Sequence, residues 1–152
     1  MSRTNLDEID ERILRLVSGN ARIPFLEIAR ECNVSGAAIH QRIQRLINIG
    51  VIKGSEFIID PGKVGYNTCA YMGILLKDAR MYREVTEELM KIPEIVECHY
   101  TTGRYAMYLK LYAKDNADFL DLIHNKIQMI DGIAGTETLI SLGEAFRRHV
   151  QV

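Results

Sequence analysis

Gln41, Gln44 and Arg45 recur at three- and four-residue spacing in "SGAAIHQRIQRL", residues 35–46, with Arg42 beside them. At helical spacing Ala37, Ala38, Gln41, Gln44, Arg45 and Asn48 share one side. Ile39, Ile43, Leu46 and Ile47 share the other, in a stripe about 100° wide. The polar side suits duplex DNA. Glutamine can bridge adenine and arginine can bridge guanine in the major groove, and either can hold a phosphate. The alanines keep the first turn low, so its backbone N–H groups can approach a phosphate oxygen. Ala37, Ala38, Gln41 and Arg45 are the expected groove residues, flanked by Ser35, Gln44 and Lys53. Arg42, at the edge of the apolar stripe, is expected either on phosphate or paired with an acid of the first helix. A solvated helix face with two incidental arginines would show the same spacing, so the surroundings must decide.

The surroundings favour the nucleic-acid reading. Cys32 to Ser55 holds no acid, whereas residues 1–31 hold six acids and five bases. A net charge of −1 excludes a wholly basic binder, so any attraction to nucleic acid is local. The 152 residues suffice for one domain or two small ones; 47% hydrophobic and 26% charged residues indicate a soluble chain with a real core. No apolar run approaches a membrane span, and "MSRTNLDEIDER" is no secretory signal, so a cytoplasmic protein is expected. Cys32, Cys69 and Cys98 lie too far apart for a zinc pair and are expected as reduced thiols.

Three short helices must position the polar side. Leu6, Ile9, Ile13, Leu14, Leu16 and Val17 recur at helical spacing, with Asn5 or Asp7 as cap and acids in the first turn. "SGNAR" breaks this helix, and Pro24 opens a second whose inner face is Phe25, Ile28 and Ala29. Ser35 caps the third, which stops by Gly50. This is a helix-turn-helix pattern. "VIKGSEFIID", 51–60, alternates weakly around Gly54 and predicts a small β wing or a linker strand. The turn-rich "DPGKVGY" marks the boundary between domains 1–60 and 61–152.

Beyond it, strands are predicted at 68–77, 94–102, 104–113 and 135–142, and helices at 79–92 and 116–130. The order is βαββαβ, a ferredoxin-like arrangement, so the fold class is α+β with a winged helix-turn-helix ahead of it. Ala70, Tyr71, Met72, Ile74, Leu75 and Leu76 are apolar on both strand parities, as are residues 105–109 and 111. Helices can cover one sheet face only, so the other is expected to pack on a second copy in a homodimer.

These segments together resemble the Lrp/AsnC, or feast-or-famine, family of transcription factors. The resemblance runs from about residue 6 to the end through "LDEIDERIL", "NARIPFLEIAR", "VSGAAIHQRIQRL", "GVIKG", "DPGKVGY", "YTTGRYAMYLK" and "IAGTETLISL". "YTTG", "NKIQMID" and "TETLI" are most similar to the branch of the asparagine-responsive regulator. The resemblance implies dimers assembling to octamers or larger rings, double-stranded DNA as partner, and a small amino-acid effector held between dimers. No cofactor and no metal are implied; asparagine is the effector suggested by the branch.

The effector site so implied joins the loop Tyr100, Thr101, Thr102, Gly103 and Arg104 to Gln128 and Asp131 of the last helix and Thr136 of the last strand. The threonines offer N–H and hydroxyl groups to a carboxylate, Asp131 a partner for an ammonium, and Gln128 a partner for a side-chain amide. Many members carry Gly-x-Tyr-Asp at this loop. Here the run is Gly103-Arg104-Tyr105-Ala106, which removes the acid and adds a cation that could hold a carboxylate.

Two other readings compete. Some sirohaem decarboxylases look like paired Lrp-type domains, and Cys98-His99 is the pair an enzyme would draw on. Adjacent strand residues point to opposite faces, however, and no nucleophile–base array is present. A ligand-binding scaffold that has lost DNA is the third.

Overall fold

The computed structural model describes residues 4–152 in two compact units. One runs to Ile58 and takes in Phe146–Val152; the other is Ile59–Ala145.

The first unit contains α1 (Glu8–Gly19), α2 (Phe25–Cys32) and α3 (Gly36–Asn48). Asp7 caps α1 in a reciprocal capping box with Asp10, which satisfies two N–H groups at the helix start. Asn33 ends α2 in the left-handed region at φ 53°, and Ser35 starts α3 by accepting from the Ala38 N–H at 3.2 Å. Only Val34 separates these two caps, so the turn between α2 and α3 is fixed from both sides. Ile13, Leu14, Ile28, Ala29, Ile39 and Leu46 form the core.

Four expectations change here. Pro24 is the N-cap of α2 rather than its first helical residue, and Phe25 is exposed, its ring 5.8 Å from that of His40. Ile47 is exposed because the chain reverses after α3. The Val51 and Ile52 N–H groups both bond the Leu46 carbonyl, and Val51 and Ile52 pack on the core in its place. The wing or linker strand over 51–60 does not form within the chain. Gly54 does not return the backbone onto itself, the segment has no ladder partner among the described residues, and Phe57, Ile58 and Ile59 lie exposed.

The second unit is a four-stranded antiparallel sheet in the order β2-β3-β1-β4, from β1 (Thr68–Leu76), β2 (Ile95–Tyr100), β3 (Met107–Ala113) and β4 (Ile133–Ser141). Helix α4 (Tyr82–Met90) follows a 3₁₀ turn at Ala79–Met81. Helix α5 (Asn116–Asp121) continues into a π turn, Leu122–Ile127, closed by the Gln128 N–H on the Ile123 carbonyl at 2.8 Å. With the two crossover helices this is the βαββαβ fold.

Ala70, Met72 and Ile74 of β1 and Met107, Leu109 and Leu111 of β3 pack under Val85 and Leu89 of α4 and Leu122 and Ile127 of the α5 segment. Burying each of the larger of these side chains stabilises the fold by about 1.5–3 kcal/mol. Strand alternation turns the intervening residues outward. Tyr71 of β1 opposes Lys110 of β3 and Leu139 of β4, and the Tyr71 and Tyr108 rings stack 6.2 Å apart. The opposite face is thus aromatic rather than wholly aliphatic. At its centre Lys110 is 9% exposed, its ammonium 5.9 Å from the Tyr71 ring, 5.7 Å from the Tyr112 ring and 3.8 Å from Glu97.

Candidate nucleic-acid interface and effector loop

Helix α3 shows Ala37, Gln41 and Gln44 to solvent, with Ala38 half-buried beside them. The Gln44 amide donates to Asn48 Oδ1 at 3.1 Å, one turn on. Ser35 and Lys53 are exposed.

The two arginines are not free side chains. Arg42 Nη1 donates to both Asp7 oxygens, at 2.9 and 2.7 Å, and to Asp10 Oδ1 at 2.7 Å. In the DNA-free chain Arg42 thus pairs with acids at the start of the first helix, one of the two contacts expected for it. Arg45 Nη1 donates to Asp10 Oδ2 at 2.9 Å, and its Nη2 to the Asn5 carbonyl at 3.3 Å. Asp10 itself is 1% exposed, and half of the Arg45 side chain stays accessible. The Asp10 N–H, and next the Arg42 guanidinium, hold the Asp7 carboxyl below its ordinary range; Arg42 is raised in turn, first by Asp7 and then by Asp10. An open groove of about 660 Å³ runs here, walled by Asp7, Asp10, Gln41, Arg42 and Arg45 among others.

The sequence allowed an acid of the first helix as the partner of Arg42, but it singled out neither Asp7 nor Asp10 for that pairing and offered no such partner for Arg45. Their signal was a matched spacing: two acids three apart on α1, two arginines three apart on α3. The acid-free window is therefore not an uncompensated positive surface.

The residues expected to hold the effector lie at one end of the sheet in two groups. Tyr100, Met107, Ile74 and Thr136 form one cross-strand row. Three strand spacings separate its outer members by roughly 14 Å. On the β2 side, Thr101 donates its hydroxyl to the Tyr105 carbonyl at 2.8 Å and its N–H to Ala106, closing the loop, while Gly103 takes φ 99°. The Tyr100 hydroxyl meets Thr86 Oγ1 at 2.9 Å, and Thr102 is exposed.

On the β4 side, Gln128 Oε1 accepts from His124 Nδ1 at 2.8 Å, and the Gln128 amide nitrogen donates to Thr136 Oγ1 at 3.0 Å. Asp131 lies past the helix end, paired with Lys77 at 3.0 Å and accepting the Gly132 N–H, which together hold its carboxyl low. Arg104 reaches across from the loop to β4, with Nη2 3.2 Å from Glu137 Oε2. A hydrogen bond to Glu137 also raises the Tyr105 phenol. In the sequence Glu137 stands only as a neighbour of Thr136 at the start of the final strand, and no local pattern ties it to the loop.

Cys98 and His99 do fall on opposite faces: Cys98 opposes buried Leu109, and His99 opposes Tyr108 and meets Glu97 at 3.2 Å. Partial desolvation pushes the Cys98 thiol above its ordinary range. Among the described residues no group of three potential ligands could hold a metal ion, and no helix is long and apolar enough to cross a membrane.

Comparison with known proteins gives the same two units separate relatives. Residues 6–53 match the winged helix-turn-helix DNA-binding model and residues 69–150 the Lrp/AsnC ligand binding domain. The chain is 40% identical over 147 residues to regulatory protein AsnC of Haemophilus influenzae, covering 97% of this chain and 98% of that one. It is 34% identical over 146 residues to AsnC of Escherichia coli, covering 96% of each. The solved Escherichia coli AsnC superposes with a TM-score of 0.92, covering 98% of this chain and all of that one. A Neisseria meningitidis transcriptional regulator solved as an L-methionine complex shares the fold at TM-score 0.87 and 21% identity, covering 95% and 94%. With a DNA-binding helix-turn-helix followed by a ligand-binding ferredoxin-like sheet, both matched along nearly the whole length of curated regulators, the chain belongs to the Lrp/AsnC family of transcriptional regulators.

Proposed function

We propose that the protein is a sequence-specific, non-enzymatic and cytoplasmic regulator whose DNA binding responds to a small amino acid. Residues 1–60 carry DNA binding, and 61–152 carry effector binding and oligomerisation. The observation behind the reading is the outward side of α3, where small and amide side chains are exposed beside Arg45. Ala37, Ala38, Gln41 and Arg45 enter the major groove, while Ser35, Gln44, Arg42 and Lys53 position the helix on the backbone. Two copies joined through the aromatic sheet face fix the separation of two reading helices, which contact related half-sites.

The effector sits where dimers meet, so that the loop Tyr100–Arg104 of one copy and Gln128, Asp131 and Thr136 of another complete one site. The 14 Å gap between these groups within a chain supports a site shared between chains. Arg104 takes the carboxylate. Asparagine is the first candidate, and methionine, bound by the Neisseria relative, the second. Binding changes the assembly of dimers, and with it operator affinity.

A thermal-shift screen of the twenty amino acids, followed by operator binding with and without the hit, tests this reading. A hit that shifts wild type but not Arg104→Ala, and alters operator affinity, is expected. No hit, together with equal binding to all duplexes, would overturn it.

A further inference from the structure

The start of α1 and the outward side of α3 carry two matched pairs: Asp7 with Asp10, and Arg42 with Arg45. Asp10 is the hub. Its two oxygens are divided between the two guanidinium groups, at 2.7 Å to Arg42 and 2.9 Å to Arg45, and Oδ2 also accepts the Asp7 N–H at 3.3 Å. The carboxylate is almost wholly buried, so it cannot trade these donors for water without a large desolvation cost.

Two physical consequences follow for Arg45. It uses one N–H on Asp10 and one on the Asn5 carbonyl, which leaves three of its five N–H donors for another acceptor. Its long side chain is already ordered, so the entropy cost of ordering it does not fall on complex formation. The two acids also cancel the formal charge of the two arginines. Sequence-independent attraction to duplex DNA comes from uncompensated cations that release counterions, so this cancellation weakens it while leaving directed donors in place.

Building on the DNA-reading role set out above, we propose that Asp10 is a positioning residue that sets operator specificity. It pins Arg42 and Arg45 to the groove side of α3 and suppresses their indiscriminate phosphate contacts. Discrimination then rests on Arg45 reaching its acceptor from one fixed position rather than from many.

Full-length Asp10→Asn tests this. Asparagine keeps the size, but its amide nitrogen is a donor and cannot accept from a second guanidinium. Anisotropy is read on the duplex recovered by in vitro selection with wild type, and on a scrambled duplex of equal length, at two salt concentrations where circular dichroism shows the variant folded. Affinity for the scrambled duplex is expected to rise about threefold to tenfold, and its salt slope to steepen by about one. Operator affinity is expected to fall, so the specificity ratio drops tenfold or more.

Glu8→Gln makes the same charge change two residues away, on an exposed side chain, and is expected to keep the ratio. A purely structural role for Asp10 lowers both affinities together and leaves the ratio unchanged, which overturns the proposal, as does an equal loss of ratio in Glu8→Gln. If Asp10→Asn does not fold, Asp7→Asn, which preserves the helix cap, must lower the ratio in the same direction by a smaller factor. If wild type selects no sequence, the DNA reading and the positioning role fall together. If it selects one and these variants leave the ratio within twofold, the positioning role alone falls.

Discussion

The Tyr105 ring lies against the backbone of Gly73, so close that a Cβ on residue 73 would sit 2.5 Å from the ring. Gly73 is in β1, and Tyr105 ends the loop that closes the β2–β3 hairpin. The absent side chain on one strand therefore seats the loop that carries Arg104.

Gly73→Ala should force Tyr105 off the sheet. A loss of about 1–3 kcal/mol is expected, as for other overpacked sites. Urea unfolding measures it. In the Tyr105→Ala background the same change should cost much less, since its obstacle is gone. Equal costs in the two backgrounds would show that the ring does not seat the loop.

Acid stability should depend on Asp7. Its folded carboxyl titrates below the ordinary value of 3.8, chiefly through the Asp10 N–H and then through Arg42. A depressed carboxyl stabilises the fold fully above its unfolded value, and that contribution disappears as the pH falls through the folded value. Asp7→Asn, which keeps the cap, should flatten the fall in urea midpoint below about pH 4 and leave its pH dependence near neutrality unaltered. An unchanged acid limb would contradict the coupling.

Dimer formation should depend on the aromatic face. Leu139 stands on it opposite Tyr71 and is exposed in the single chain. Leu139→Asp should thus cost the isolated subunit within about 0.5 kcal/mol, as surface changes do. Two facing copies would each gain a buried, unpaired carboxylate. Sedimentation velocity should show monomers at concentrations where wild type is dimeric or larger, with the far-ultraviolet spectrum retained. Unaltered assembly would place the contact elsewhere.

Arg45→Ala should leave the fold intact, because Asp10 keeps Arg42 and the removed side chain is half exposed. Operator affinity should fall about tenfold and the salt slope by about one if the contact is to phosphate; relaxed preference at one base would mark a base contact. Full affinity at moderate salt would remove Arg45 from the interface.

Local chemistry was legible where one side chain decides the outcome. Asp7, Ser35 and Gly50 marked helix ends because caps act within one turn, whereas parity could not mark the core face, since β1 and β3 are apolar on both sides. What required coordinates were relations between distant segments. Asp10 with Arg45 joins residues 35 apart, and Arg104 with Glu137 residues 33 apart; no short-range pattern encodes either. The strand expected over 51–60 failed for a related reason: alternation shows that a segment can pair, but the ladder needs a partner that this chain does not bring to it. The same holds for Ile47, whose place on the apolar stripe was correct and whose burial was pre-empted by Val51 and Ile52 returning onto the core.

The most direct test of the central claim, that the outward side of α3 reads duplex sequence, is fluorescence anisotropy at physiological salt. The purified protein is titrated into its own upstream DNA and into a scrambled duplex of equal length. Binding to the upstream DNA at least about a thousandfold tighter than to the scrambled duplex, and lost on combined replacement of Gln41 and Arg45 by alanine, is the expected result. Equal, weak binding to both duplexes that vanishes as salt is raised, untouched by those replacements, would contradict it.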